Sequence, residues 1–312
     1  MLWRGEGKLL TMIVVVAPGQ GSQKPGFLTP WLDVDDVAET LRAWSDLIDV
    51  DLVRHGTVSD QDTIRDTAIA QPLIVAAGMI AGAMLSKKLR KDQAVSYAGH
   101  SVGEFTAAHL AGVLSAEDAI TLVALRGRAM AEAAAVVPTG MAAVMGGEPE
   151  EVSAELEARG LVPANVNGAG QIVAAGPKDV LAQLSENPIA GTRVIGLDVA
   201  GAFHTHYMAS AVDSLREATR TVSFSDPADP LYTNSDGSIV CDGDTVRDLL
   251  VSQVSSPVRW DLCMAGFAGH GITRMIELPP AGALAGLAKR GMPGVEALKI
   301  DLPDHIDALT LG

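Results

Sequence analysis

Residues 99–103 read Gly99-His100-Ser101-Val102-Gly103, a G-x-S-x-G pentapeptide. The partly apolar residues 94–98 before it predict a strand, and the Ala-rich residues 104–111 after it predict a helix. A serine on a sharp strand-to-helix turn has its hydroxyl lifted clear of the backbone, and flanking glycines let the chain make that turn. Free N–H groups at the helix start favour developing negative charge. Such a serine suits acyl transfer: it attacks a carbonyl, and backbone donors hold the oxyanion. Glycine is abundant here, 32 of 312 residues, so the pentapeptide alone is a weak signal; the strand and helix around it supply the context the motif needs.

A nucleophilic serine needs a base, and the chain holds 7 histidines. His100 adjoins the serine, and neighbouring side chains on a turn diverge, so it reads as a wall or a donor of the site. His204 ends Gly201-Ala202-Phe203-His204, just after a predicted strand and between two parts of the chain, where clefts form. As base it competes with the plainer reading of a surface or capping histidine. No acid with a distinctive motif completes a triad; Asp198 is the nearest to His204 in sequence.

The elements that must position these residues follow from the patterning. Residues 12–17 predict a buried strand, leading into the loop Pro18-Gly19-Gln20-Gly21-Ser22-Gln23. Helices are predicted around 35–48 and 71–91, then the strand 94–98 and a helix to about Gly112. Ser115 is a good N-cap for the next helix, with Glu117 and Asp118 in its first turn, and this helix stops at Pro138. From 139 the texture changes: strand 141–145, helix 148–159, strands 162–166 and 171–175, helix 177–186, strand 193–197. This β-α-β-β-α-β order is the ferredoxin-like split pattern, read as a small domain inserted into a larger one. A mixed pattern then returns, with helices at 207–222, 243–253, 259–269 and 283–290 and strands at 231–233 and 272–277.

Composition sets the outer bounds. Hydrophobic residues make up 48% and charged residues 20%, which is globular, while aromatics are only 4%, so Ala, Val, Leu and Ile build the core. Two cysteines, Cys241 and Cys263, give neither a disulfide framework nor a metal-ligand cluster, and a reduced cytoplasmic setting is the plain reading. A net charge of −15 argues against binding nucleic acid or an anionic membrane through a general basic surface. Local basic clusters remain at Lys87, Lys88, Arg90 and Lys91 and at Lys289-Arg290, each also readable as an ordinary solvated face. The apolar run at 12–17 is too short for a signal-peptide core or a membrane span, and no other stretch is read as transmembrane. Residues 1–11 read as an N-terminal extension, with Met12 a candidate start.

Several segments occur together in one order: Gly19-Gln20-Gly21-Ser22-Gln23, Gly99-His100-Ser101-Val102-Gly103-Glu104, Arg126, Gly201-Ala202-Phe203-His204-Thr205, and Gln253 followed by Pro257-Val258-Arg259-Trp260. The set resembles the malonyl-CoA:acyl carrier protein transacylases of fatty acid synthesis and the acyltransferase domains of polyketide synthases, from Met12 to about Arg290. The resemblance implies an α/β fold: a large α/β-hydrolase-like domain with a parallel-sheet core at 12–138 and 203–312, and a small ferredoxin-like α+β subdomain at 139–202. It implies Ser101 as nucleophile and His204 as its base, with a backbone carbonyl near Gln253 orienting the imidazole. It implies an oxyanion hole from the N–H groups of Gln20 and Val102, and Arg126 as a clamp for the substrate carboxylate, which a planar guanidinium binds bidentately. Without the resemblance Arg126 would be a bland helix arginine. Phe203 beside the base would leave little room for an α-methyl branch, favouring malonyl over methylmalonyl by ~1–3 kcal/mol. Gly201 departs from the polyketide pattern, where His is frequent, which weakens that inference.

His100 and Gln171 would line the pocket, with Asn165, Asn167 and Asn234 further polar loop residues that also fit plain turn chemistry. The implied substrates are malonyl-CoA and phosphopantetheinylated acyl carrier protein, with no metal or redox cofactor. An acidic carrier would need a basic rim, for which Lys289 and Arg290 are candidates. Three rivals remain at this point. A serine esterase or thioesterase uses the same pair, although chain order and the lack of an HGGG-type loop argue against it. An acyltransferase serving polyketide synthesis in trans differs little in sequence. A non-catalytic binding module is disfavoured by intact Ser101, His204 and Arg126.

Overall fold

The computed structural model describes residues 12–90 and 93–310. The expected extension at 1–11 and Lys91 of the basic cluster lie outside them. The first described element is β1 (Met12–Ala17), followed by α1 (Val37–Ile48), α2 (Leu52–Thr57), α3 (Gln61–Arg65), α4 (Thr67–Lys88) and β2 (Ala94–Gly99). Helices α5 (Gly103–Leu110) and α6 (Ala116–Val136) follow, then β3 (Thr139–Gly146), α7 (Pro149–Ala158), β4 (Val162–Gly168), β5 (Gln171–Pro177), α8 (Lys178–Glu186) and β6 (Thr192–Leu197). The last third holds α9 (Ala209–Thr219), β7 (Leu231–Tyr232), β8 (Ile239–Val240), α10 (Gly243–Ser252), β9 (Val258–Arg259), α11 (Trp260–Gly269), β10 (Arg274–Glu277), α12 (Ala283–Gly291), β11 (Glu296–Lys299) and α13 (Pro303–Ala308).

Two sheets organise these elements. The larger has six strands in the order β11-β10-β1-β2-β7-β8, parallel except for the β7–β8 pair. β1 lies at its centre because Ile13-Val14-Val15-Val16 is a continuous β-branched run, buried on both faces as a parallel strand requires. The smaller sheet runs β6-β3-β5-β4-β9, and its first four strands are antiparallel. The split β-α-β-β-α-β order expected from the sequence thus forms one sheet with α7 and α8 packed over Ala142, Val144, Ile172 and Ala174. Its fifth strand comes from outside that segment: Val258 and Arg259 pair in parallel with Asn165 and Val166. A two-residue strand carries no alternation, so no residue pattern announces it.

Helix α4 is the central helix of the larger layer. It is apolar all round, and most of it is buried against neighbours that include α5 and α6. By length and composition it could cross a membrane, but its burial makes it a core helix. The predicted helix 207–222 is shorter, a 3-10 turn at His206–Met208 leading into α9, because Thr205 caps the turn by accepting from the Tyr207 N–H.

Candidate active site

The turn between β2 and α5 carries Ser101. Its φ of 52 puts a non-glycine residue in the left-handed region, the strained conformation of a nucleophile elbow. The turn is clamped onto β1, with the His100 N–H donating to the Ala17 carbonyl at 2.9 Å. The flanking glycines are there for space. A Cβ on Gly99 would lie 2.0 Å from the Gly103 carbonyl carbon, and one on Gly103 would lie 2.2 Å from the Ala17 oxygen.

His204 arrives on the loop after β6, itself left-handed at φ 61. Its Nε2 lies 2.7 Å from Ser101 Oγ, and its Nδ1 lies 2.8 Å from the Gln253 carbonyl. A carbonyl only accepts, so Nδ1 carries the proton and Nε2 is left to accept from the serine hydroxyl. A backbone carbonyl therefore occupies the place an acid would take in a triad. Asp198 is elsewhere: exposed, and ion-paired to Arg65. Burial and then the nearby Arg126 charge push the His204 imidazole down to about 3, which keeps it neutral and able to take a proton.

Arg126 reaches the same point from α6. It is 1% exposed, and its Nη2 lies 3.4 Å from Ser101 Oγ. Nη1 donates to Gln71 Oε1 and Nη2 to Gln253 Oε1, both at 2.7 Å, while Nε has no partner. No carboxylate touches it among the described residues, and burial pulls its pKa down to about 10. A buried cation with a spare donor beside a nucleophile is a ready seat for an anion. Arg128 points away, donating to the Ile48 carbonyl.

The remaining expected residues distribute as follows. Val102 is buried as the N-cap of α5, and Gln20 sits in the loop after β1 with its side chain donating to the Arg65 carbonyl. Among the described residues no acceptor meets the backbone N–H of either. His100 bonds Asn167 Oδ1 through Nε2 at 2.9 Å and packs edge-on to Trp260. Asn167 Nδ2 donates to Gln171 Oε1 at 3.1 Å, so Gln171 joins the site through a polar chain from the smaller sheet rather than through contact with Ser101. Phe203 is buried in the main core beside His204. Lys289 and Arg290 are exposed in the last turn of α12, and the next residue, Gly291, packs on Ala169 in the β4–β5 turn.

Three polar residues prove more central to the site than their places in the sequence suggest. Asn234 Oδ1 accepts the Ser101 N–H at 2.7 Å and its Nδ2 donates to the Gly99 carbonyl, so it braces both sides of the elbow. Glu104 and Gln71 carried no role. Both are polar residues on otherwise apolar helices, and each is almost fully buried, which is the signal that could have found them. Among the described residues no group of three or more His, Cys, Asp or Glu could hold a metal ion.

Comparison with known proteins agrees with this geometry. The family model for the acyl transferase domain matches residues 14–299. A malonyl CoA-acyl carrier protein transacylase of Mycobacterium tuberculosis is 48% identical over 299 residues, 96% of this chain and 99% of that protein. The crystal structure of MCAT from Mycobacterium tuberculosis superposes with a TM-score of 0.92, covering 95% of this chain and 98% of that one at 48% identity. A type II PKS acyl-carrier protein in complex with its malonyl-transacylase is a further neighbour, with TM-score 0.89, 28% identity and 95% and 98% coverage. With the elbow serine, its histidine and the buried arginine all standing within the matched residues, the chain belongs to the acyl transferase family, among the malonyl CoA-acyl carrier protein transacylases.

Proposed function

We propose that the protein transfers the malonyl group from malonyl-CoA to the phosphopantetheine thiol of acyl carrier protein, in fatty acid biosynthesis, through a malonyl ester on Ser101. The observation that carries this reading is the Arg126 guanidinium, buried with a spare Nε–H and 3.4 Å from the Ser101 hydroxyl. A nucleophile that met only neutral acyl groups would gain nothing from a desolvated cation at that distance.

In the first half-reaction His204 Nε2 takes the Ser101 proton as Oγ attacks the thioester carbonyl. The N–H groups of Val102 and Gln20 receive the oxyanion. The tetrahedral intermediate then collapses, the C–S bond breaks, and His204 returns its proton to the departing coenzyme A thiolate. In the second half the carrier thiol gives its proton to His204, its sulfur attacks the ester carbonyl, and Ser101 leaves with that proton. The Gln253 carbonyl on Nδ1 keeps the imidazole in the required tautomer throughout. Phe203, His100 and Gln171 shape the pocket. The mechanism uses side chains and backbone of this chain and needs no cofactor. We also propose the domain bounds 12–138 with 203–312 and 139–202, supported by the two sheets, with β9 crossing from the larger part to edge the smaller sheet.

Intact-protein mass after mixing with malonyl-CoA tests the reading. Wild type is expected to gain one malonyl group that acyl carrier protein discharges much faster than water does, and Ser101→Ala gains none. Arg126→Ala is expected to lose malonyl loading far more than acetyl loading. Steady release of coenzyme A without adduct or carrier would replace transfer by hydrolysis. The likeness to a polyketide carrier complex supports a second acceptor class, so carriers of both pathways belong in the discharge assay.

A further inference from the structure

We infer that Glu104 is a positioning residue that fixes the polarity of the Gln253 side-chain amide, and through it aims the Arg126 guanidinium at the acyl group on Ser101. The inference rests on the acyl-transfer reading above. Gln253 bonds to Ser101, His204 and Arg126. Its backbone carbonyl accepts from His204 Nδ1, its Nε2 donates to the Ser101 carbonyl at 2.9 Å, and its Oε1 accepts from Arg126 Nη2 at 2.7 Å. An amide can be turned end for end at little steric cost, so something must choose which end faces Arg126.

Glu104 makes that choice. It is the second residue of α5, 6% exposed, and both carboxylate oxygens accept: one from the Asn234 N–H at 2.6 Å, the other from Gln253 Nε2. Above the pKa of about 7 to which burial raises it, Glu104 is a carboxylate with only acceptors, and a guanidinium has only donors. The amide between them therefore has one allowed orientation, with NH2 toward Glu104 and Ser101 and oxygen toward Arg126. The opposite orientation would set carbonyl against carboxylate and NH2 against guanidinium. The same geometry keeps the two charges apart: Glu104 makes no ion pair with Arg126. A direct pair would consume the charge that an incoming carboxylate needs, whereas the interposed amide holds the arginine in place and leaves that charge available.

Glu104→Gln is the isosteric test, because it offers an NH2 group at one of two places that require an acceptor. The KM for malonyl-CoA is expected to rise about tenfold or more with a smaller change in kcat, the signature of lost carboxylate binding. Phosphonylation of Ser101 by a neutral fluorophosphonate, which has no carboxylate for Arg126, is expected to slow far less. On an Arg126→Ala background the Glu104 change should add no further rise in malonyl KM. Equal losses toward malonyl-CoA and fluorophosphonate, or full additivity with Arg126→Ala, would overturn the inference and leave Glu104 a brace of the elbow. Circular dichroism and thermal melting accompany each variant. Should Glu104→Gln not fold, Glu104→Asp keeps the charge, shortens the reach by one methylene and is judged by the same ratios. A wild type that forms no malonyl adduct fails at the earlier step and takes the inference with it; a wild type that loads normally isolates the inference.

Discussion

Ser101 and His204 both hold left-handed backbone conformations that non-glycine residues rarely adopt, and they face each other across 2.7 Å. Strain at two partners of one hydrogen bond persists only where the surroundings over-determine it, and here Asn234, Gln253 and the Ala17 carbonyl do so. His204 lies well below the usual histidine range because it is buried and faces Arg126. On the proposed reading its neutral form is the base, so the acid limb that His204 imposes on acylation should fall well below pH 6.5. A stopped-flow pH profile of malonyl loading measures this, and a His204 limb at the ordinary histidine value would contradict the buried, neutral imidazole. Glu104 behaves oppositely: burial pushes its carboxyl up to about 7 from 4.5. The folded state thus holds a proton that the unfolded chain has released, and Glu104 costs stability as pH rises from about 4.5 to about 7. The melting temperature of wild type should accordingly fall relative to Glu104→Gln across that window; parallel curves would show that the carboxyl does not titrate there.

At the scale of elements, the junction of β1, β2 and α5 sets the position of Ser101, and it does so by close backbone approach. Gly103→Ala would press a methyl to 2.2 Å from the Ala17 oxygen, a clash that only movement of β1 or α5 relieves. We expect a loss of about 3 kcal/mol or more, or no folded protein, by chemical denaturation. Gly196 in β6 is the control: its Cβ would meet nothing within 4 Å, so Gly196→Ala should stay within about 0.5 kcal/mol. The pentapeptide, the N-cap Ser115 of α6 and the β-branched run of β1 were all legible, because each is a local preference that the tertiary structure reinforces. The short elements α2, α3, β8, β9, β11 and α13 were not. They are too brief for periodicity to build up, and β11 is an edge strand with no fully buried residue.

Across the whole molecule, a chain of net charge −15 must accept an anionic coenzyme ester and, on the proposed reading, an acidic carrier. Lys289 and Arg290 stand exposed where α12 meets the β4–β5 turn, the turn that separates Asn167 from Gln171. Replacing both by Glu should raise the KM for acyl carrier protein several-fold and flatten its salt dependence, with a smaller effect on loading from malonyl-CoA. Equal effects on both half-reactions would move the docking surface elsewhere.

The sequence by itself determined the family and singled out Ser101 and His204 as the proposed nucleophile and base, because those rest on residue types in short fixed motifs. It also yielded the ferredoxin-like order at 139–202, since each of its elements is long enough to show its own pattern. What only the tertiary structure decided are the relations between distant segments. Gln253 meets Ser101 across 152 positions and Glu104 across 149, and Asn234 meets Ser101 across 133. Polar side chains such as Asn234 and Glu104 look alike in sequence whether they are solvated or buried. Burial is settled by which faces the sheets and helices cover, and only burial makes the direction of a single amide matter to the chemistry.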